Sequence, residues 1–162
     1  MCGGDKDSFE KAKPILQGMG KNIVHCGSGG LGQATKICNN MLAGINALAA
    51  AEAMTMGERL GVSPDILYEV ISTSTGRSYI FETSNPMPDV CSTSPANNKF
   101  KPGFMAKLML KDLRLSQAAA QDAKTSTPLG AAATAAFQQL IDSGFGDLDT
   151  SSIIKVITPE SK

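Results

Sequence analysis

Residues 31–60 read LGQATKICNNMLAGINALAAAEAMTMGERL. No proline interrupts them, and after the glycine-rich start only Gly44 and Gly57 weaken the helix propensity. Ile37, Met41, Ile45 and Leu48 recur at spacings of 4, 4 and 3, the period of a helix. Such a helix is about 45 Å long at 1.5 Å per residue, longer than a globular domain commonly uses. It predicts a central helix wrapped by shorter ones, or one buried at an oligomer interface. Ala47, Ala49, Ala50, Ala51 and Ala53 permit close helix approach and read as packing residues.

Working outward toward the C-terminus, Gly61 ends this helix, and Ser63-Pro64 opens the next with proline at the first helical position. Ile66, Leu67, Val70 and Ile71 form its expected apolar stripe. Residues 84–102 hold Pro86, Pro88, Pro95 and Pro102 among several Asn and Ser, a long loop of the kind that is often functional inside a domain. Helices are expected over Phe104–Asp122, from Pro128 to about Ser143, and over Thr150–Ile157. The fold class is therefore mainly α.

Toward the N-terminus, residues 5–18 predict a short helix capped by Asp5, Asp7 or Ser8, restricted by Pro14 and stopped by Gly18 and Gly20. Asn22-Ile23-Val24-His25-Cys26 predicts a short strand. One helix and one strand cannot bury a sheet. Residues 1–28 are thus read as the tail of an α/β domain whose body is missing, and residues 29–162 as a helical domain. Met1-Cys2-Gly3-Gly4 reads as the end of something longer.

Composition narrows the functional classes. Lys plus Arg and Asp plus Glu each number 15, so the balanced chain has no electrostatic footprint for nucleic acid or an anionic membrane. No apolar run reaches the roughly 18 residues of a spanning helix. Cys2, Cys26, Cys38 and Cys91 form no paired spacing, and His25 is the one histidine, so no metal site is expected and the thiols are read as reduced.

Gly27-Ser28-Gly29-Gly30-Leu31-Gly32 matches a dinucleotide-binding glycine pattern. That unit also needs a second strand ending in an acid about 20 residues on. Here the helix runs past that point, so the glycines are read as a tight junction that lets something approach the backbone. Lys36 and Asn40 lie four apart on one helix face. An amine beside an amide suits a hydroxy acid, because the hydroxyl proton must leave as the hydride goes. Spacing alone also allows a snorkelling lysine and an asparagine bonded to a neighbour.

Gly30-x-Gly32-x-x-x-Lys36-x-x-Asn39-Asn40, followed by Ala51-Glu52-Ala53, resembles the central-helix signature of the β-hydroxyacid dehydrogenase family. The similarity continues through Ser74-Thr75-Gly76-Arg77-Ser78, Ser94-Pro95-Ala96-Asn97-Asn98, Gly103-Phe104 and Leu110-Lys111-Asp112-Leu113, and covers most of residues 20–145. The stretch from Lys36 to Leu42 is similar to the 3-hydroxyisobutyrate dehydrogenase branch.

The resemblance implies a Rossmann domain, absent here, joined to an all-helical domain. It implies Lys36 as catalytic lysine, Asn40 and Phe104 as substrate contacts, and Lys111 as a contact to the nicotinamide cofactor. Without it, Lys111-Asp112 reads as an exposed charged turn. The implied activity is oxidation of 3-hydroxyisobutyrate, or a close β-hydroxy acid, with NAD in valine catabolism. NADP is also open, because the discriminating residue would lie upstream. The alternatives are a tartronate or succinate semialdehyde reductase using NADPH, or a non-catalytic oligomerisation module. Ala43 stands where 6-phosphogluconate dehydrogenases carry a proton-donating acid, and Asn39 where they carry histidine, which disfavours decarboxylation. Lys36 is replaced in the family's non-enzymatic nuclear relatives, so its presence here favours an active parent enzyme. The resemblance further suggests a homo-oligomer and the mitochondrial matrix. The chain alone is expected to be inactive.

Overall fold

A computed structural model describes residues 1–158. Seven α-helices appear among them: α1 (Lys6–Gln17), α2 (Leu31–Arg59), α3 (Pro64–Ser72), α4 (Tyr79–Thr83), α5 (Ala106–Asp122), α6 (Pro128–Leu140) and α7 (Ile154–Ile157). The mainly α fold class holds. The chain divides into two compact units, Met1–Asn40 and Met41–Lys162, and α2 contributes residues to both.

In the first unit, Asp5 caps α1 by accepting the Ser8 N–H at 2.9 Å, and the helix runs through Pro14 to Gln17. Phe9 is its buried anchor and stacks on His25 at 4.8 Å between ring centroids. Residues 22–26 do not form the expected strand. They make one isolated parallel bridge, Cys2 to His25, with Cys2 N–H donating to Val24 and Cys26 N–H to Cys2.

The second unit is built on small residues. The face of α2 that enters the core is Ala47, Ala50, Ala51 and Met54, at most 4% exposed, with buried Gly44 and Gly57 at the same helical spacing. This corrects the stripe expected from the larger residues: Ile45 and Leu48 are only partly buried against that core. Gly44 and Gly57 are contact points rather than weak points. A Cβ on Gly44 would lie 2.9 Å from Leu113 Cδ2, and one on Gly57 2.6 Å from Leu67 Cδ1. Glycine lets α5 and α3 approach the α2 backbone that closely. Phe81, Met87, Ala106, Met109, Leu110 and Leu113, with Ala133, Phe137 and Leu140 of α6 and Ile153 and Ile154, complete the core.

On α3 the expected four-residue stripe is half right. Leu67 and Ile71 pack against the core, whereas Ile66 and Val70 are 51% and 55% exposed. The proline-rich stretch is ordered by its own polar side chains. Buried Asn85 donates to the Phe81 carbonyl and accepts the Met87 N–H, and Asn97 bridges the Asp89 N–H and the Cys91 carbonyl. Ser94 caps a single turn over Pro95–Asn98. Helix α5 starts at Ala106 rather than Phe104, because Met105 is extended and bridges Asp149, and the Phe104 carbonyl accepts the Thr150 N–H instead of a helical one. Helix α6 ends at Leu140 and relaxes into a wider turn over Ile141–Phe145, where Gly144 adopts φ 87°.

Candidate active site

The glycine-rich turn Gly27–Gly32 delivers the chain into α2, and Lys36 and Asn40 follow within the first turns of that helix. Their spacing of four brings both onto one cleft of about 510 Å3, lined by Met1, Gly3, Gly32, Gln33, Lys36 and Asn40. Lys36 is exposed, and among the described residues no carboxylate pairs with its ammonium. Asn40 is half-buried, and its side-chain carbonyl accepts the Asn39 amide at 3.1 Å, which fixes the orientation of the Asn40 amide.

What approaches the glycines is the chain itself. A Cβ on Gly32 would lie 2.8 Å from the Gly3 nitrogen, and one on Gly3 2.8 Å from the Gly32 nitrogen. The two backbones are in contact at the edge of the cleft. The glycine at position 32 thus admits another stretch of backbone. Gln33 was not singled out from the sequence. It lies three residues before Lys36, so the helical spacing that paired Lys36 with Asn40 could also have found it.

Phe104 and Lys111 belong to the second unit. Phe104 lies in the segment before α5 and is 37% exposed, high for a large apolar ring. Lys111, on α5, points its ammonium to Asp112 Oδ1 at 2.7 Å; its own side chain is 61% exposed and that of Asp112 10%. The sequence missed Asp149, a carboxylate 2% exposed that receives the N–H groups of Gly103 and Phe104. Its sequence signal is an ordinary cap: Asp149 precedes Thr150-Ser151-Ser152 and accepts the Ser151 N–H. No group of three or more potential metal ligands occurs among the described residues, and no helix among them is long and apolar enough to cross a membrane.

A sequence model of the family described as "NAD-binding of NADP-dependent 3-hydroxyisobutyrate dehydrogenase" matches residues 30–157. The chain belongs to the 3-hydroxyisobutyrate dehydrogenase family. It is 40% identical over 159 residues to the NAD-dependent L-serine dehydrogenase of Pseudomonas aeruginosa, covering 98% of this chain and 53% of that protein. To the mitochondrial 3-hydroxyisobutyrate dehydrogenase of Homo sapiens it is 40% identical over 160 residues, 99% of this chain and 48% of that one. The solved structure of Mycobacterium tuberculosis 3-hydroxyisobutyrate dehydrogenase with L-serine superposes with a TM-score of 0.90 at 41% identity, over 96% of this chain and 53% of that one. The chain thus spans about half the length of the relatives it matches. The family's members named here are dehydrogenases, and the helical architecture is theirs.

Proposed function

We propose that this chain is the helical substrate-side domain of an NAD-dependent β-hydroxyacid dehydrogenase, acting with a Rossmann domain that holds the cofactor. The observation that carries the reading is the Lys36–Asn40 cleft: an exposed ammonium without a carboxylate partner beside an oriented amide, in a family of dehydrogenases. A nicotinamide cofactor held by the Rossmann domain would supply the acceptor for the hydride leaving the alcohol carbon. Lys36 would hold the alcohol oxygen and take up or relay its proton as the carbonyl forms, while Asn40 would orient the acid. On the family resemblance, Phe104 is a candidate substrate contact and Lys111 a candidate cofactor contact. With no dinucleotide cradle of its own among the described residues, the chain alone is expected to bind NAD weakly and to be inactive.

The substrate class is a short acid with a primary hydroxyl on its β carbon. L-Serine and 3-hydroxyisobutyrate both fit, and differ only in carrying an ammonium or a methyl group on the α carbon. Relatives from several organisms are named for 3-hydroxyisobutyrate, which supports that substrate and with it a role in valine catabolism. The L-serine dehydrogenase of Pseudomonas aeruginosa supports serine. Mitochondrial relatives from Homo sapiens and Drosophila melanogaster support a mitochondrial home, but bacterial relatives match at the same level of identity. NAD is preferred to NADP on the name of the Pseudomonas relative alone.

The test is steady-state kinetics on the polypeptide that joins this chain to its dinucleotide-binding domain. Lys36→Ala should lower kcat by roughly 10²–10⁴-fold, the range for a positioned acid or base. Lys36→Arg should not rescue it, because guanidinium keeps its proton at neutral pH. Near-normal kcat in Lys36→Ala, with an unchanged circular dichroism spectrum, would remove the catalytic assignment.

A further inference from the structure

Helix α2 carries a second apolar face, which the described residues leave open to solvent. Opposite the buried line of Gly44, Ala47, Ala51 and Met54 run Leu42, Asn46, Ala49, Ala53, Met56 and Leu60. Leu60 stands one residue past the helix and keeps its turn, donating its N–H to Met56 at 3.0 Å. The spacing alternates 4, 3, 4, 3 and 4, so the six share an arc of about 80°. Leu42, Met56 and Leu60 are 57%, 62% and 75% exposed, and Ala49 is exposed as well. Between Leu42 and Met56 the one charged residue is Glu52.

Helix α3 widens this face. Leu67 packs onto Gly57 and leaves Ile66 and Val70, on the other side of α3, more than half exposed. Together these side chains expose about 600 Å2, which approaches the roughly 800 Å2 per partner of a stable dimer and is the upper end for one patch on a monomer.

The order of the residues selects the occupant. From either end the stripe begins with leucine and reaches two alanines at its middle. A twofold axis between Ala49 and Ala53 would set Leu42 of one copy against Leu60 of the other, and Asn46 against Met56. The alanines would let the two backbones cross at about 8 Å, the close end of helix packing. An interface between identical copies needs such self-complementarity, and an unrelated partner does not. A dinucleotide-binding domain ahead of this chain would join at Met1, whose segment touches Gly32, about 40 Å along the helix axis from Leu60.

We propose that the Leu42–Leu60 face of α2 is a homodimer interface, in which two copies of the helix cross antiparallel at Ala49 and Ala53. This does not depend on the dehydrogenase reading. Glu52 flanks the crossing, so its two copies face each other at the wet rim.

Charge pairing tests the register. Leu42 and Leu60 are exposed, so Leu42→Lys and Leu60→Glu should leave the circular dichroism spectrum unchanged. In sedimentation at about 100 μM the wild-type chain should be dimeric. Each variant alone should dissociate more than about tenfold more readily, because a charge is buried against leucine. An equimolar mixture of the two should regain wild-type association to within about threefold, because the introduced ammonium then meets the introduced carboxylate. Glu52→Gln should tighten the dimer by up to about threefold by removing a like pair. Ala49→Glu, at the exposed crossing, should abolish association and carries the test if either end variant does not fold. A monomeric wild type, undiminished association in Leu60→Glu, or a mixture no stronger than its components would each overturn the proposal. So would a longer polypeptide, carrying the dinucleotide-binding domain, that stays monomeric where this chain dimerises, since that domain would then cover the face.

Discussion

Gly32→Ala should loosen the N-terminal segment from the head of α2. A Cβ at residue 32 would lie 2.8 Å from the Gly3 nitrogen, and 3.1 Å from both the Cys2 carbonyl carbon and the Met1 oxygen. All three are backbone atoms, so no rotamer change relieves the clash, and Met1–Gly3 must move. That segment is held by three main-chain hydrogen bonds: Cys2 N–H to Val24 at 2.8 Å, Cys26 N–H to Cys2 at 2.7 Å, and Gly4 N–H to Gly27 at 2.8 Å. Losing them at about 1 kcal/mol each costs about 3 kcal/mol. A shifted Met1–Gly3 segment can keep part of these bonds, which returns up to about 1 kcal/mol. The net, about 2 kcal/mol, corresponds to about a 30-fold rise in the local opening equilibrium.

The assay is amide hydrogen exchange. Gly4 and Cys26 should exchange about 30-fold faster in Gly32→Ala, while amides in α5 and α6 keep their protection. Gly29→Ala is the matched control in the same turn, because a Cβ there meets nothing within 4 Å. Its Gly4 and Cys26 amides should stay at the wild-type rate. Wild-type exchange at both amides in Gly32→Ala would refute the contact, and with it the account of how the cleft edge is built.

Two further predictions rest on exposure. Cys38 is exposed and Cys91 buried, so iodoacetamide should label Cys38 first and Cys91 last in the native chain. This order should hold although the Cys91 thiol sits below its usual pKa: burial pushes it up, but hydrogen bonds from Thr93, Tyr68 and Ser94 outweigh that. Early labelling of Cys91 would show that the stretch around it opens. Met56, Leu60, Ile66 and Val70 are each more than half exposed, so sedimentation at about 100 μM, above the μM dissociation range of an ordinary interface, should show self-association. A monomer there would count against a homo-oligomer.

The helices were legible because their signals are local. Ser63-Pro64 opened α3 where the structure opens it, Pro128 began α6, and the unbroken run after Gly32 became a single helix through Arg59. What the sequence misplaced depends on partners distant in the chain. The core face of α2 looked like Ile37, Met41, Ile45 and Leu48 because large side chains dominate a periodicity reading. The structure buries the alanines instead, because α5 and α3 press against Gly44 and Gly57. Helix α5 starts two residues later than its sequence suggests because the Phe104 carbonyl is claimed by Thr150 and Met105 is held extended against Asp149. Lys36 and Asn40 were paired by spacing, and their roles came from the resemblance, since a lysine and an asparagine four apart occur on many solvated helices.

The same contrast explains the glycine motif. Glycine is a permission rather than a ligand: it removes a Cβ so that some other atom can come near, and the pattern does not say which atom. In a dinucleotide fold the visitor is a pyrophosphate, and the following strand and acid are what make that reading secure. Residues 27–32 have the glycines, a bridge-forming segment before them and a helix after them, but α2 continues for 29 residues where that fold would turn back. The visitor found at Gly32 is the Met1–Gly3 backbone. It sets an edge of the cleft lined by Gln33, Lys36 and Asn40. The feature that most resembled a cofactor site therefore serves the substrate side of the proposed enzyme, and the lysine four residues further on is the group whose removal tests it.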